Sequence, residues 1–379
     1  MEPLKQLKDM SNRLSHLNNA EEAKDVLLGV YRTNTLDAMY GYYLSILFNL
    51  GTDISQVEGS GNENFRIIPT NSFPTTQSEV QQTWAALYTG IYRANDFLER
   101  ISNKIGSYTT TDKKLATLYI AEARALRGMF YFELVRRFGN VVLMTSTQMS
   151  NQNPATYVQS APEKVYEYIE DDLLYACDIL PYATDDQYRE SNDYRFSKGA
   201  ALGLLTKVYA TWAGYPVKDE SKWEAAAKTA RILVESGKHG LLKDYEQLWK
   251  NTCNGTWDPT ESLIEISFYS PTVSGNSDPV GRIGKWNGVK TTAIAGVRGS
   301  CAANVKVVHT FVLDWREDVS DIRRDLSIAN YQYTDTKKTL WAASASDTEE
   351  SAAAKDADPT KAQKNKQNYT RGGKLSYEN

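Results

Sequence analysis

Only three histidines and three cysteines occur in 379 residues. His16, His239 and His309 lie far apart with no ligand-like spacing, so each reads as a surface or cap residue and not a metal ligand. His239 follows Gly237 just past an expected helix end, where a cation suits the helix dipole. Cys177, Cys253 and Cys301 are odd in number and form neither a CxxC nor a zinc pattern, so no disulfide framework is expected. Cys177 falls on a predicted helix and reads as a small buried apolar residue. Basic charge is not in excess. The net charge of −4 lacks the footprint that tracks phosphates, so nucleic acid is not an expected partner. No apolar run is long enough to span a bilayer. The signatures GxSxG, HExxH and the Walker loop are missing. Gly59-Ser60-Gly61 sits in a long loop between helices, not between a strand and a helix, which excludes the dinucleotide context. Glu170-Asp171-Asp172 could suggest paired glycosidase carboxylates, but adjacent helical residues point in different directions and cannot flank one bond. A solvated helix face is expected there. No catalytic residue, metal or cofactor is expected.

What is present fits a globular chain of one large domain or two ordinary ones, with 41% hydrophobic and 24% charged residues. Aromatic usage is skewed: 24 Tyr and 8 Trp stand against 10 Phe. Tyr and Trp combine a flat apolar face with a polar handle. Such rings either fill helix–helix seams with their tips at the surface or stack on the C–H face of a sugar.

Helical periodicity dominates up to about Trp249. Helices are expected over Ala20–Thr33, roughly Asp37–Leu50, Ser78–Lys104 and Asp112–Phe138. In the last of these, Leu115, Leu118, Ala125, Met129 and Phe132 mark one apolar face, and Tyr119, Leu126, Phe130 and Leu134 a second. A surface helix needs one stripe, so a helix with two sits between neighbours. Gly139 supplies its C-terminal cap, and Val141–Met144 follows as a short strand. A further helix runs from Ala161-Pro162-Glu163 to Leu180, where Pro181 prevents continuation. The segments SKGAALGLLTKVYATWAG and SKWEAAAKTARILVESGKHG have the layout of a tetratricopeptide-type pair. Ala201, Leu204, Leu205, Val208 and Tyr209 line the first; Trp223, Ala226, Ala227, Ala230 and Leu233 line the second. Trp84, Trp212 and Trp223 are expected in the core. Beyond Trp249, Glu261–Phe268 alternates like a half-buried strand, and Val305–Leu313 fits helix or strand. Two polar loops stand out, Gly51–Phe73 and Tyr269–Ser300, and loops this long are usually functional or disordered. Residues 342–368 read as a mobile surface insertion.

The wording of one stretch goes further. Ala121-Glu122-Ala123-Arg124, Leu126-Arg127, Phe130-Tyr131-Phe132-Glu133-Leu134-Val135-Arg136 and Phe138-Gly139-Asn140-Val141 closely resemble the signature segment of the SusD/RagB family. Glu261–Phe268 and Asp321-Ile322-Arg323 also resemble family segments. The resemblance covers most of the chain but not its loops. It implies a mainly α fold, a SusD-like scaffold of tetratricopeptide-type helix pairs with long irregular loops and a few short strands. It implies one partial domain over residues 1–379, with a helical scaffold over 1–250 and a loop-rich ligand side over 251–379.

The implied function is non-catalytic capture of an oligosaccharide at the outer face of the outer membrane, with delivery to a SusC-like, TonB-dependent transporter. Two alternatives stay open: a peptide-binding member of the family, and a helical-repeat assembly scaffold without a small ligand. Family members begin with a signal peptide ending at a lipidated Cys and continue into a further helix. Neither is found in this sequence, so truncation at both ends is expected, with membrane attachment only through an anchor outside the chain. The Glu122 and Arg124 side chains are expected to pair with neighbouring helices. Asp53, at the mouth of the first loop, is read as a cap or turn residue. Recognition is expected on loops carried by the scaffold: Phe65, Asn71 and Phe73 in the first, and Trp257, Tyr269, Arg282, Trp286 and Asn287 in the second. Trp286, among Gly284, Lys285 and Gly288 with few apolar neighbours, is the leading candidate for stacking on a sugar.

Overall fold

The computed structural model describes residues 17–57, 64–190, 193–268, 282–291, 293, 300–316, 320–329, 331–334, 337–340 and 370–371. Its α-helices are α1 (Ala20–Tyr31), α2 (Ser78–Lys104), α3 (Thr110–Phe138), α4 (Pro162–Ile179), α5 (Lys198–Ala213), α6 (Lys222–Glu235), α7 (Tyr245–Cys253), α8 (Ile283–Asn287), α9 (His309–Arg316) and α10 (Ile322–Ser327). The strands are short: β1 (Ser55–Val57), β2 (Val141–Val142), β3 (Gln159–Ser160), β4 (Val305–Val307), β5 (Ile328–Ala329), β6 (Tyr331–Thr334), β7 (Lys337–Leu340) and β8 (Thr370–Arg371). The fold is mainly α, as expected. No described helix is long and apolar enough to cross a membrane.

The chain divides into two compact units. The first comprises Met1–Thr35, Trp84–Lys243 and Thr256–Ser267; the second comprises Leu36–Thr83, Asp244–Gly255 and Phe268–Asn379. The insertion expected at 342–368 lies outside the described residues.

The first unit is built around α3. Thr109 caps its start by accepting from the Asp112 amide, and Gly139 ends it at φ +68°, donating its amide to the Val135 carbonyl. From Ala121 to Val135 every residue except Arg124 is buried, so the two apolar faces expected from the sequence both find neighbours. At one of them α2 comes close. A Cβ on Gly90 would lie 2.6 Å from the Phe130 ring. The strand expected over Val141–Met144 pairs only at Val141–Val142, against Gln159–Ser160. Tyrosine hydroxyls take over the rest. Tyr88 exchanges two hydrogen bonds with the Val142 backbone, and Tyr131 two with Met144.

Helix α4 packs on α3 through charge as well as apolar surface. The Glu170–Asp172 run is a solvated face only at Asp171. Asp172 is 0% exposed and takes both Arg124 and Arg127, while Glu170 accepts from Tyr209 and pairs with Lys222. The reason is position on the helix: Asp172 shares the α4 face of Val165, Ile169 and Ala176, which looks at α3. Helices α5 and α6 form the expected pair, with Trp212 stacked on Tyr166 at 5.3 Å. Trp84 is half-buried, edge-on to Phe138. Trp223, expected in the core, is instead 52% exposed. The Lys222 ammonium lies 3.8 Å from the Trp212 ring centroid and covers that face in its place.

Glu122 is buried where α1, α3 and the segment before α5 meet. It accepts from the Tyr31 hydroxyl at 2.7 Å and from Arg195 at 2.8 Å. Burial pushes its carboxyl up to about 7, with Arg195 and the Tyr31 hydroxyl opposing. A carboxyl with a raised folded pKa holds its proton more tightly in the fold than in the unfolded chain. Its contribution is therefore full below its ordinary value near 4.5 and is lost as pH rises through about 7. Chemical unfolding between pH 4.5 and 7.5 should show this downward slope, and Glu122→Gln should flatten it. An identical slope in Glu122→Gln would assign the pH dependence to other groups.

The second unit departs more from expectation. Asp37–Leu50 is not an α-helix but a π-turn (Asp37–Gly41), irregular turns and a 3₁₀ turn (Leu47–Asn49). Several of its amides reach back five or six residues, as from Tyr43 to Asp37 and from Phe48 to Tyr43. Buried Met39, Tyr42, Ile46, Leu47 and Leu50 recur at helical spacing, but Leu44 lies off that stripe and is buried as well, so burial outweighs local propensity. Antiparallel strands in the order β1-β4-β8-β5 form a small sheet, and β6-β7 a hairpin. The ambiguous Val305–Leu313 is both: strand β4, then helix α9. Glu261–Phe268 forms no strand among the described residues. Alternation fixes which faces a strand would present, but not that a partner edge is available.

Candidate functional site

Part of the second unit assembles aromatic rings from distant parts of the sequence. Tyr42, Ile46, Leu47, Leu50, Ile68 and Val305 form a buried cluster, and Tyr43, Phe48, Phe65, Phe73 and Trp286 pack on it half-buried. Tyr42 is the hub. Its ring centroid lies 5.9 Å from Tyr43, 6.0 Å from Phe65 and 6.1 Å from Trp286. It is 7% exposed, and burial pushes its hydroxyl up to about 12, so the phenol stays neutral. Arg66 lies over the Phe65 ring at 5.0 Å.

Three devices hold the rings. The first loop is closed at its base by Gly51, at φ +76°, where a Cβ would fall 2.4 Å from the Pro69 carbonyl oxygen. Asn71, itself at φ +56°, donates its side-chain amide to the Gly51 carbonyl at 3.3 Å. Arg282, just before α8, pairs with Asp37 at 2.7 Å and donates its backbone amide to Gly41. Finally, α8 is tied to the strand side by bonds from Ala302 to Lys285 and from Asn304 to Trp286.

Of the eight residues expected from the sequence, Phe65, Phe73 and Trp286 share this cluster. Asn71 and Arg282 hold its frame, and Asn287 follows Trp286 on α8. Trp286 is less isolated than expected, because Tyr42 supplies an apolar neighbour more than 200 positions away in the chain. Trp257 belongs to the first unit, where it meets Tyr194 edge-on with Arg189 over its ring. Tyr269 lies outside the described residues. Tyr42 and Tyr43 were missed, because their segment reads as an ordinary helix. The available signal is the density of rings in Tyr40-Gly41-Tyr42-Tyr43, around a glycine that weakens a helix.

Two adjacent residues carry unmet polar atoms. The Trp286 indole nitrogen and the Asn287 side-chain oxygen are buried without a hydrogen-bond partner among the described residues. One is a donor and the other an acceptor. Leaving such groups unpaired costs about 1–3 kcal/mol each. Both atoms are closed off from solvent, so a ligand presenting hydroxyls would satisfy them only if the side chains around α8 part as its apolar face meets the rings. Among the described residues no group of three His, Cys, Asp or Glu could hold a metal.

A family model described as SusD-like, starch-binding and associating with the outer membrane, matches residues 6–210, more than half of the chain. A SusD homologue of known structure from Bacteroides thetaiotaomicron VPI-5482 is 94% identical, with a TM-score of 0.93 over 97% of this chain and 69% of that one. A laminarin-binding SusD-like protein shares the fold at 24% identity and a TM-score of 0.61, over 85% of this chain and 72% of its own. A curated SusD-like protein of Bacteroides ovatus is 27% identical over 60% of this chain, which spans 43% of that relative's length. The signature helix α3, the α5–α6 pair and the family match agree, and the chain belongs to the SusD-like family.

Proposed function

We propose that this chain binds an oligosaccharide without cleaving it, at the aromatic cluster around Tyr42 and Trp286. The observation that carries the reading is the unmet donor and acceptor on Trp286 and Asn287 beside those rings. A pyranose matches both features, with a C–H face for the rings and hydroxyls that both donate and accept. The family's starch-binding description supports the same class of ligand. The bound glycan would pass to a TonB-dependent transporter of the outer membrane, with a lipid anchor holding the protein at the cell surface. Binding and hinge motion suffice for this task.

Calorimetric titration of a glycan panel tests the assignment. Trp286→Ala should weaken the best glycan at least tenfold, or about 1.4 kcal/mol, while its circular dichroism stays that of the parent. Unchanged affinity in a folded Trp286→Ala would rule this site out. Co-purification of the full-length protein with its transporter tests the delivery step, and lack of any association would remove it.

A further inference from the structure

A cavity elsewhere in the same unit combines aromatic rings, hydroxyls and a carboxylate. It encloses about 600 Å³, within the range of small-ligand sites. Its aromatic wall comes from α9, where Phe311 and Trp315 stand one turn apart with ring centroids 5.3 Å from each other. Both rings are half-buried and line the cavity. Opposite chemistry comes from α7 and α10, where the Tyr245 and Ser327 hydroxyls meet at 2.9 Å.

Charge at the cavity is arranged unevenly. Arg323 reaches Asp321 through two bonds, at 2.8 and 2.6 Å, and the Trp315 indole donates to the same carboxylate at 3.0 Å. These bonds hold the Asp321 carboxyl well below the usual carboxylate range. Asp321 thus fixes the Trp315 ring and offsets the charge of Arg323, which lines the cavity. Asp314, also on the lining, is exposed and makes no ion pair among the described residues. Among the described lining residues Asp314 is thus the one carboxylate without an ion pair, and an anionic ligand beside it meets repulsion.

We propose that this cavity is a second saccharide site that accepts a neutral pyranose and discriminates against an acidic one. Phe311 and Trp315 stack on the sugar face, Asp314 and the Tyr245–Ser327 pair bond its hydroxyls, and Asp321 acts as a positioning residue for Trp315. The inference rests on the glycan reading above, but uses different residues.

Calorimetry and saturation-transfer NMR on the purified chain separate the two sites. Maltohexaose and laminarihexaose serve as neutral probes, and trigalacturonic acid as the acidic one. In a Trp286→Ala background, weak binding of a neutral probe should persist, and adding Trp315→Ala should lower it tenfold or more. Should Trp315→Ala fail to fold, Asp314→Asn, at an exposed position, provides the independent arm: it should raise affinity for trigalacturonic acid at least threefold. The second site is overturned if no binding persists in Trp286→Ala. It is equally overturned if Trp315→Ala leaves the residual binding unchanged, or if the acidic probe binds Trp286→Ala as tightly as the neutral ones. If Trp286→Ala costs nothing while Trp315→Ala abolishes binding, the first assignment fails and the second stands. No binding of any probe to the parent chain would overturn both.

Discussion

Replacing Asp172 by alanine should destabilise the protein by about 3–5 kcal/mol, the usual cost of removing one partner from a buried ion pair. Asp172 is 0% exposed and accepts from Arg124 at 2.7 Å and from Arg127 twice at 2.8 Å. Arg127 also reaches Asn95 at 2.7 Å, and Asn95 in turn donates to the Met144 carbonyl at 2.8 Å. One carboxylate thus links α4, α3, α2 and the chain leaving α3. Without it, Arg124 keeps its pair with the exposed Asp171, but Arg127, 9% exposed, is left with Asn95 alone and has no route to water. The same argument sets a control. Replacing Asp172, Arg124 and Arg127 together by leucine or methionine leaves no buried charge and should cost much less than Asp172→Ala alone. Urea unfolding checks both, read as a shift in midpoint at constant slope. A loss under about 1 kcal/mol in Asp172→Ala would mean that water reaches the pair and the network contributes little.

The contact between Phe130 and Gly90 should give the other large effect. Phe130→Ala is expected to cost about 3–5 kcal/mol, since the ring is fully buried and α2 and α3 cannot close the space it leaves. Gly90→Ala alone should cost about 1–3 kcal/mol, because its new methyl would meet that ring at 2.6 Å. Combined with Phe130→Ala the sign should reverse. With the ring gone, Gly90→Ala gains about 1 kcal/mol of helix propensity and fills part of the void. A double-mutant cycle by denaturant unfolding reads the coupling directly. Additive single effects would show that the two helices do not approach as closely as described.

The helical scaffold was legible because its information is local. The periods of α2 and α3, the cap at Gly139 and the proline at the start of α4 lie within a few residues of what they control. Errors began where the partner was remote. Trp223 fits the α6 stripe by spacing, but Lys222 takes the Trp212 face, a choice made by packing between helices. Asp171 and Asp172 look equivalent in sequence, yet a rotation of 100° about α4 leaves one exposed and buries the other between two arginines. Asp37–Leu50 has ordinary helix composition, and only burial of Tyr42, Leu44 and Ile46 together opens it into wide turns.

By itself, then, the sequence determined the family and the mainly helical build, through the stretch around α3 whose apolar residues leave it no exposed face. It also named three of the rings in the aromatic cluster. Tertiary structure alone decided that those rings meet on Tyr42, that Asn71 and Arg282 serve the frame, and that Phe311 and Trp315 line a separate cavity. The division follows from range. A helix period is set by neighbours three and four residues away, whereas a binding surface is made of side chains from segments hundreds of residues apart, whose meeting no local pattern encodes.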